Sequence, residues 1–244
     1  MKKIIAYPLS VIYYLFFGIT LLVFHPVQWV CFNLFGYQAH KKSVDIFNFC
    51  LLRCLNILGT RIHFENAYVL KKDRPHIIVA NHQSLYDISP IMWYFRKLHP
   101  KFISKIELGK GIPSVSYNLR HGGSILIDRK NPRQALPEIK KFSGYLNKNK
   151  HAAVIFPEGT RSRNGKPKRF SPNGLKILFK SCPDAVIVPL TINNAWKLQK
   201  YGGFPLNIGI KLVLKVQEPI PIEGRDVDEL ILETEKKVVG SIVN

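Results

Sequence analysis

No Asp, Glu, Lys or Arg occurs between Ile4 and His40. A run this long without a charge cannot form an amphipathic helix with a solvated face, and its first part, Ile4 to Phe24, is long enough to enter the hydrocarbon of a bilayer. Lys2 and Lys3 stand before it, and Lys41 and Lys42 follow a second apolar stretch, Pro26 to Gln38. Both basic ends lie on one side of a membrane if the chain turns back, and the excess of positive charge on cytoplasmic segments favours a hairpin over a single span. His25-Pro26 is the expected turn. The hairpin is expected to dip into one leaflet or to cross twice, with Trp29 and Tyr37 suited to the interface. No small-x-small cleavage site follows Phe24, which argues against a secretory signal peptide.

Beyond Lys42 the texture changes. Ser43 to Gly59 has a scattered polar face and reads as an amphipathic helix, so residues 1–59 are expected to be a membrane-associated hairpin plus that helix, and residues 60–244 a catalytic domain. In this second part, β-branched or aromatic runs recur at Arg61, His76, Lys101, Gly123, Ala152, Ala185 and Ile208, with helix-like segments at Ile91–Leu98, Pro132–Asn147 and Ser171–Ser181. The alternation predicts an α/β fold with a largely parallel or mixed central sheet covered by helices. Proline in the run Ile187-Val188-Pro189-Leu190 suggests an edge strand or a bend.

The 36 Lys+Arg against 16 Asp+Glu give a net charge of +20, which draws the chain toward polyanions: nucleic acid, an anionic bilayer or phosphorylated substrates. Between Lys101 and Lys180 there are 18 basic and 4 acidic residues. No recognisable nucleic-acid motif or interleaving of aromatics accompanies this charge, so a nucleic-acid partner is not expected. Cys31, Cys50, Cys54 and Cys182 show no metal-ligand spacing, so no metal is expected, and buried thiols of this kind fit a reducing, cytosol-facing location.

Two short segments at strand ends carry the chemistry. The first is Asn81-His82-Gln83-Ser84-Leu85-Tyr86-Asp87, after the apolar run Ile77–Ala80. Histidine is the side-chain type best suited to take a proton at neutral pH, which makes His82 a ready general base, and a carboxylate on its second ring nitrogen would fix the tautomer. Asp87 is the candidate partner. On a straight helix, five residues leave two side chains about 140° apart, so the pair requires a turn over Gln83–Tyr86 and a helix starting near Asp87. Read alone, the segment is equally a turn with cap residues. Ser84 lacks a Gly-x-Ser-x-Gly elbow and is not a favoured nucleophile. The second segment is Phe156-Pro157-Glu158-Gly159-Thr160-Arg161-Ser162, where Gly159 permits close backbone approach, Arg161 offers a planar fork to a phosphate and Thr160 adds a hydroxyl. Its plainer reading is a basic loop. Arg129, after the short strand Ser124–Ile127, is a further candidate cationic contact, also explicable as a surface residue.

Taken together and in this order, His82-x4-Asp87, Gly123 to Arg129, Phe156-Pro157-Glu158-Gly159-Thr160-Arg161 and Val188-Pro189 resemble the glycerolipid acyltransferases, particularly the 1-acylglycerol-3-phosphate acyltransferases. Ser104-Lys105-Ile106-Glu107-Leu108 is similar to the family's Lys-x-Glu-Leu element, which implies that Lys105 faces the active site. The resemblance implies that His82 and Asp87 form the catalytic pair and that Glu158, Gly159, Thr160, Arg161 and Arg129 bind the glycerol phosphate of a lysophospholipid acceptor. It further implies an acyl-CoA or acyl-carrier protein co-substrate, no bound cofactor, lysophosphatidate as acceptor, and association with membrane lipid at the cytoplasmic face of the inner or plasma membrane. Leu126 and Thr191 occupy places where relatives vary, leaving acceptor and acyl preference open. Other acceptors, such as glycerol 3-phosphate, another lysophospholipid or an amino-acid-based lipid, remain alternatives, as do a hydrolase that activates water and, from a different class, a membrane-tethered nucleic-acid binder.

Overall fold

A computed structural model describes residues 2–128 and 131–243. Helix α1 (Lys2–Ile57) is broken at Gly36, whose φ of 77° and ψ of −168° lie in a region open essentially to glycine alone. Its two arms fold back on each other in antiparallel fashion. Thr20 Oγ1 lies 3.8 Å from Cys54 Sγ, the Phe24 and Phe47 rings are 5.6 Å apart, and Phe32 meets His40 at 5.4 Å. The chain therefore reverses at Gly36 and not at His25-Pro26, correcting the expectation from sequence. Helix continues through Pro8 and Pro26. Proline deletes one backbone donor yet keeps helical φ, so it can sit in a long apolar helix without reversing it. The first arm buries only a narrow stripe that includes Ala6, Ser10, Tyr13 and Gln28, while Ile4, Val11, Leu15, Leu22, Leu34 and Phe35 are exposed. So continuous an apolar surface marks the arm as membrane-associated.

Eight strands form the sheet: β1 (Arg61–Glu65), β2 (His76–Ala80), β3 (Lys101–Lys105), β4 (Ile125–Ile127), β5 (Ala152–Ile155), β6 (Val186–Asn193), β7 (Lys211–Val216) and β8 (Ile220–Pro221). Their order is β1-β7-β6-β2-β5-β3-β4, with β8 beside the start of β6. The pairs β1·β7, β2·β6, β2·β5, β3·β5 and β3·β4 are parallel, while β6 meets β7 and β8 antiparallel, so the sheet is mixed. β2 and β5 are buried at every position, as their unbroken aliphatic runs require. Pro189 is not on an edge: it sits in β6 between β2 and β7. β8 pairs only with Val186 and Ile187, and β7 takes over from Leu190. The carbonyl of Pro189 accepts from Gln217 N on the β7 side. Nitrogen and carbonyl of a strand residue point the same way, so the missing N–H falls in the gap between those two partners.

Helices α4 (Pro132–Asn149), α5 (Pro172–Ser181) and α6 (Val227–Val239) pack together over one face of the sheet, where Ile139, Phe142, Leu175, Phe179 and Leu230 join Ile77 and Ile187. Each starts on a predictable signal: Asn131 and Asp226 accept backbone N–H bonds as caps, and Pro132 and Pro172 open the first turn. The second arm of α1 and α2 (Ile88–Tyr94) cover the opposite face, where Leu55, Leu58, Ile91 and Phe95 meet Ile78 and Val188. α3 (Val115–His121) rests against the hairpin. Of these elements α3, α6 and β8 were not anticipated from sequence.

At the amino ends of the strands, Lys101 opens β3 only 5% exposed, with Nζ 4.9 Å above the Tyr37 ring. Tyr37 is hydrogen-bonded to His99, which stacks on His151 at 4.5 Å. Burial, reinforced by Lys41, pushes Lys101 down to about 7, with Asp45 opposing. The unfolded chain then binds the extra proton between pH about 7 and the ordinary lysine value, so this lysine detracts from stability fully below about 7 and ceases to do so as pH rises through that window. Lys101→Met should raise the midpoint of thermal unfolding at pH 7, with the advantage shrinking toward pH 10. At the hairpin turn, Gly36→Ala should destabilise the detergent-solubilised protein by about 1–3 kcal/mol, visible as a lower unfolding midpoint.

Candidate active site

β2 delivers the first segment to the carboxyl edge of the sheet, and side chains then fasten it there. The Asn81 amide donates to Ile192 O (2.9 Å) and accepts from Ile192 N (2.7 Å), while Gln83 Oε1 accepts from Ala195 N (3.0 Å). Ser84 is extended, a short 3-10 turn covers Leu85–Asp87, and α2 follows at once. The required turn over Gln83–Tyr86 is therefore present. It forms a capping box, in which Asp87 reaches back to the backbone of Ser84 while Ser84 Oγ accepts from Tyr86 N. One oxygen of Asp87, Oδ2, accepts from Gln83 N (2.8 Å), from Ser84 N (2.9 Å) and from the His82 ring at Nδ1 (2.8 Å). Two backbone donors on that oxygen mark it as an acceptor, which assigns the proton of the third contact to Nδ1 and leaves Nε2 with a free lone pair. The Asp87 side chain is fully buried and that of His82 is 14% exposed. The imidazole lies flat on Phe156, ring centres 4.1 Å apart and planes 16° from parallel.

Phe156 begins the second segment, immediately after β5. Glu158 Oε1 accepts from His82 N (2.8 Å) and Oε2 from Lys168 N (3.0 Å). Burial pushes its carboxyl up, and the two backbone donors pull the other way. In return, Ser162 N (2.7 Å) and Oγ (3.2 Å) donate to His82 O. The backbone of His82 is thus gripped on both its polar groups by the neighbouring loop. The same loop is pinned farther on at Gly165, where φ is +80° and a Cβ would come within 2.4 Å of Trp196 Nε1.

A cavity of about 1080 Å³ opens beside His82. Its polar side carries Lys105, Gly159, Thr160, Arg161, Arg163 and Lys168, with Lys168 Nζ bonded to Thr160 Oγ1. Its apolar side is built by the hairpin through Tyr13, Phe17, Phe47, Leu51 and Leu55, and by Leu108 and Leu119. The structure therefore brings His82, Lys105, Gly159, Thr160 and Arg161 to one cavity, with Asp87 directly behind His82. Lys105 is both on the wall and exposed, at the carboxyl end of β3. Glu158 does not line the wall; each of its oxygens accepts from a backbone donor, which braces two loops together. Arg129 lies outside the described residues. Sequence reasoning missed the hairpin's contribution, because Tyr13 and Phe17 sit in a long uncharged run that reads as lipid-facing throughout. Their one distinguishing signal is the helical spacing of Ala6, Ser10, Tyr13 and Phe17 on the arm's inward side. Among the described residues no group of His, Cys, Asp and Glu has the makings of a metal site.

The Acyltransferase family model matches residues 61–193, more than half of the chain and every part of the site outside the hairpin. The chain belongs to this acyltransferase family. A crystal structure of the 1-acyl-sn-glycerophosphate (LPA) acyltransferase PlsC from Thermotoga maritima superimposes with a TM-score of 0.79 at 28% identity, over 98% of this chain and 95% of that one. A 1-acyl-sn-glycerol-3-phosphate acyltransferase from Helicobacter pylori is 37% identical over 135 residues, 51% of this chain and 54% of that protein. A chloroplastic 1-acyl-sn-glycerol-3-phosphate acyltransferase of Arabidopsis thaliana is 28% identical over 172 residues, 70% of this chain and 46% of that one. The chain thus spans about half the length of these two curated relatives. The structural likeness accords with the mixed sheet, the helical cover and the apolar amino-terminal helix.

Replacing Asn81 by Ala would leave the buried N–H and C=O of Ile192 unpaired on one side of the turn that carries His82. An on-the-order-of 3 kcal/mol loss of unfolding free energy is expected, measured by denaturant titration of the detergent-solubilised protein.

Proposed function

We propose that this chain transfers a fatty acyl group from an acyl thioester, acyl-CoA or acyl-carrier protein, to the sn-2 hydroxyl of 1-acylglycerol 3-phosphate, giving phosphatidate. The observation that carries the reading is the His82–Asp87 pair at the wall of a cavity that is cationic on one side and apolar on the other. A lysophosphatidate has that same division, a phosphate and an acyl chain on one glycerol. Arg161, Arg163, Lys105 and Lys168 suit the phosphate, and the forked guanidinium of Arg161 suits its paired oxygens. The aromatic and aliphatic side chains of the hairpin suit a chain that leaves the bilayer without crossing water.

In the proposed reaction, His82 Nε2 takes the proton of the acceptor hydroxyl while its oxygen attacks the thioester carbonyl carbon. Asp87 holds the ring and stabilises the imidazolium that forms. The tetrahedral intermediate collapses with cleavage of the carbon–sulfur bond, and the proton on Nε2 passes to the departing thiolate. Atoms balance as ester plus thiol, and no acyl-enzyme forms. A positioned base contributes about 10²–10⁴-fold, and the rest of the acceleration falls to holding two substrates in one cavity and to stabilising the oxyanion. Glu158 serves this chemistry indirectly, by fixing the backbone of His82. The basic surface, with Lys2 and Lys3 at the start of the hairpin, supports a catalytic domain on the cytoplasmic face.

His82→Ala should lower the rate of phosphatidate formation about 10²–10⁴-fold, and Asp87→Asn should lower it substantially with little change in the apparent affinity for lysophosphatidate. The measurement is incubation of purified protein with labelled acyl-CoA or acyl-carrier protein and a panel of lysolipids and glycerol 3-phosphate, with the products identified. Near-wild-type transfer by correctly folded His82→Ala would sink the proposed base, and a product built only on another acceptor would reassign the substrate.

A further inference from the structure

The loop Lys200–Pro205 is not needed for the chemistry above, yet it joins two critical places. At one end, Gln199 Oε1 accepts from Ser84 Oγ (3.3 Å), within the turn that carries His82 and Asp87, and the backbone of nearby Ala195 donates to Gln83. At the other end the loop lies along the start of the first hairpin arm. Phe204 meets Tyr7 edge to face at 5.5 Å and Tyr14 at 6.4 Å, the Tyr14 hydroxyl donates to Gly203 O, and Lys3 Nζ stands 5.5 Å over the Tyr201 ring. Ser10 Oγ accepts from Leu206 N just beyond.

Even so packed, Phe204 stays 50% exposed, and its neighbours on the arm stay open too: Ile4 at 73% and Val11 at 57%. Water-facing aromatic rings continuous with an apolar helix, bordered by Lys3, Lys197 and Lys200, reproduce the aromatic and basic belt that sits at the level of lipid headgroups. We propose that the Lys200–Pro205 loop is a second membrane anchor: Phe204 and Tyr201 enter the interface of an anionic bilayer beside the hairpin, and through Gln199 and Ser84 the loop sets the height of the catalytic turn above the lipid. The occupant is lipid and not protein because the patch is continuous with the arm's own lipid-facing surface and carries cations at its border.

The contact can be tested without activity, so its failure is separable from failure of the acyltransferase reading. Phe204→Cys and, as a control on the opposite helical layer, Leu232→Cys, which is 65% exposed on α6, would carry an environment-sensitive fluorophore in protein reconstituted into phosphatidylglycerol–phosphatidylethanolamine vesicles. Bromolipids should quench the label at 204 and spare the one at 232, and aqueous iodide should do the reverse. A label at 204 as open to iodide as that at 232 would overturn the anchor, and so would a label shielded from both quenchers, which would signal a protein partner. In a second arm, Phe204→Ser and Lys200→Gln should slow acyl transfer to vesicle-borne lysophosphatidate, about fivefold for the lost charge, while leaving the rate in detergent micelles unchanged. Equal losses in both media would assign the loop a purely structural role.

Discussion

Everything at the proposed centre of chemistry hangs on one carboxylate oxygen. Asp87 Oδ2 receives two backbone N–H groups and the ring of His82. The capping box that starts α2 and the orientation of the imidazole are therefore a single hydrogen-bonded unit. Such a unit needs a buried aspartate, and Asp87 is fully buried. Fixed donors on Oδ2, rather than a cation, offset part of the cost of taking this carboxylate out of water, its other oxygen being buried without a hydrogen-bond partner. The loop after β5 completes the frame, gripping the N–H of His82 with Glu158 and its carbonyl with Ser162. His82 is thus held from the front by its ring and from behind by its backbone, on elements set in register by the parallel pairing of β2 with β5.

Much of this was legible in the sequence, because the relevant signals are local. Aliphatic runs of strand length ending in Asn-His or Phe-Pro-Glu place polar side chains at the end of a buried strand, and helical geometry alone showed that His82 and Asp87 could meet only across a turn. The expected turn and helix start are where the structure has them. The helix-like segment from Ser171 was legible too: Pro172 opens α5, although the Ser171 side chain makes no capping bond.

What the sequence concealed was longer in range. Pro26 is a strong local signal, yet it lies inside a helix, while the reversal falls on Gly36, whose neighbours Phe35 and Tyr37 give no turn signature. Pro189 read as an edge residue because strand order is invisible locally, and only the succession of β8 and β7 along β6 explains how a central strand accommodates it. Glu158 entered as a substrate contact only through the family resemblance, and its bracing role had no local signal. Its two backbone partners come from residues 76 and 10 positions away, and only the folded chain makes the nearer and the farther visible together.

The hairpin is more than a tether that could be cut away from the sheet domain. Here Tyr13, Phe17, Phe47, Leu51 and Leu55 are one wall of the cavity, and Tyr13 reaches across to pack on Tyr86 within the catalytic turn. Truncation before Arg61 would therefore remove more than an anchor: it would strip the apolar wall from the chamber and leave its cationic side as a shallow trough open to solvent.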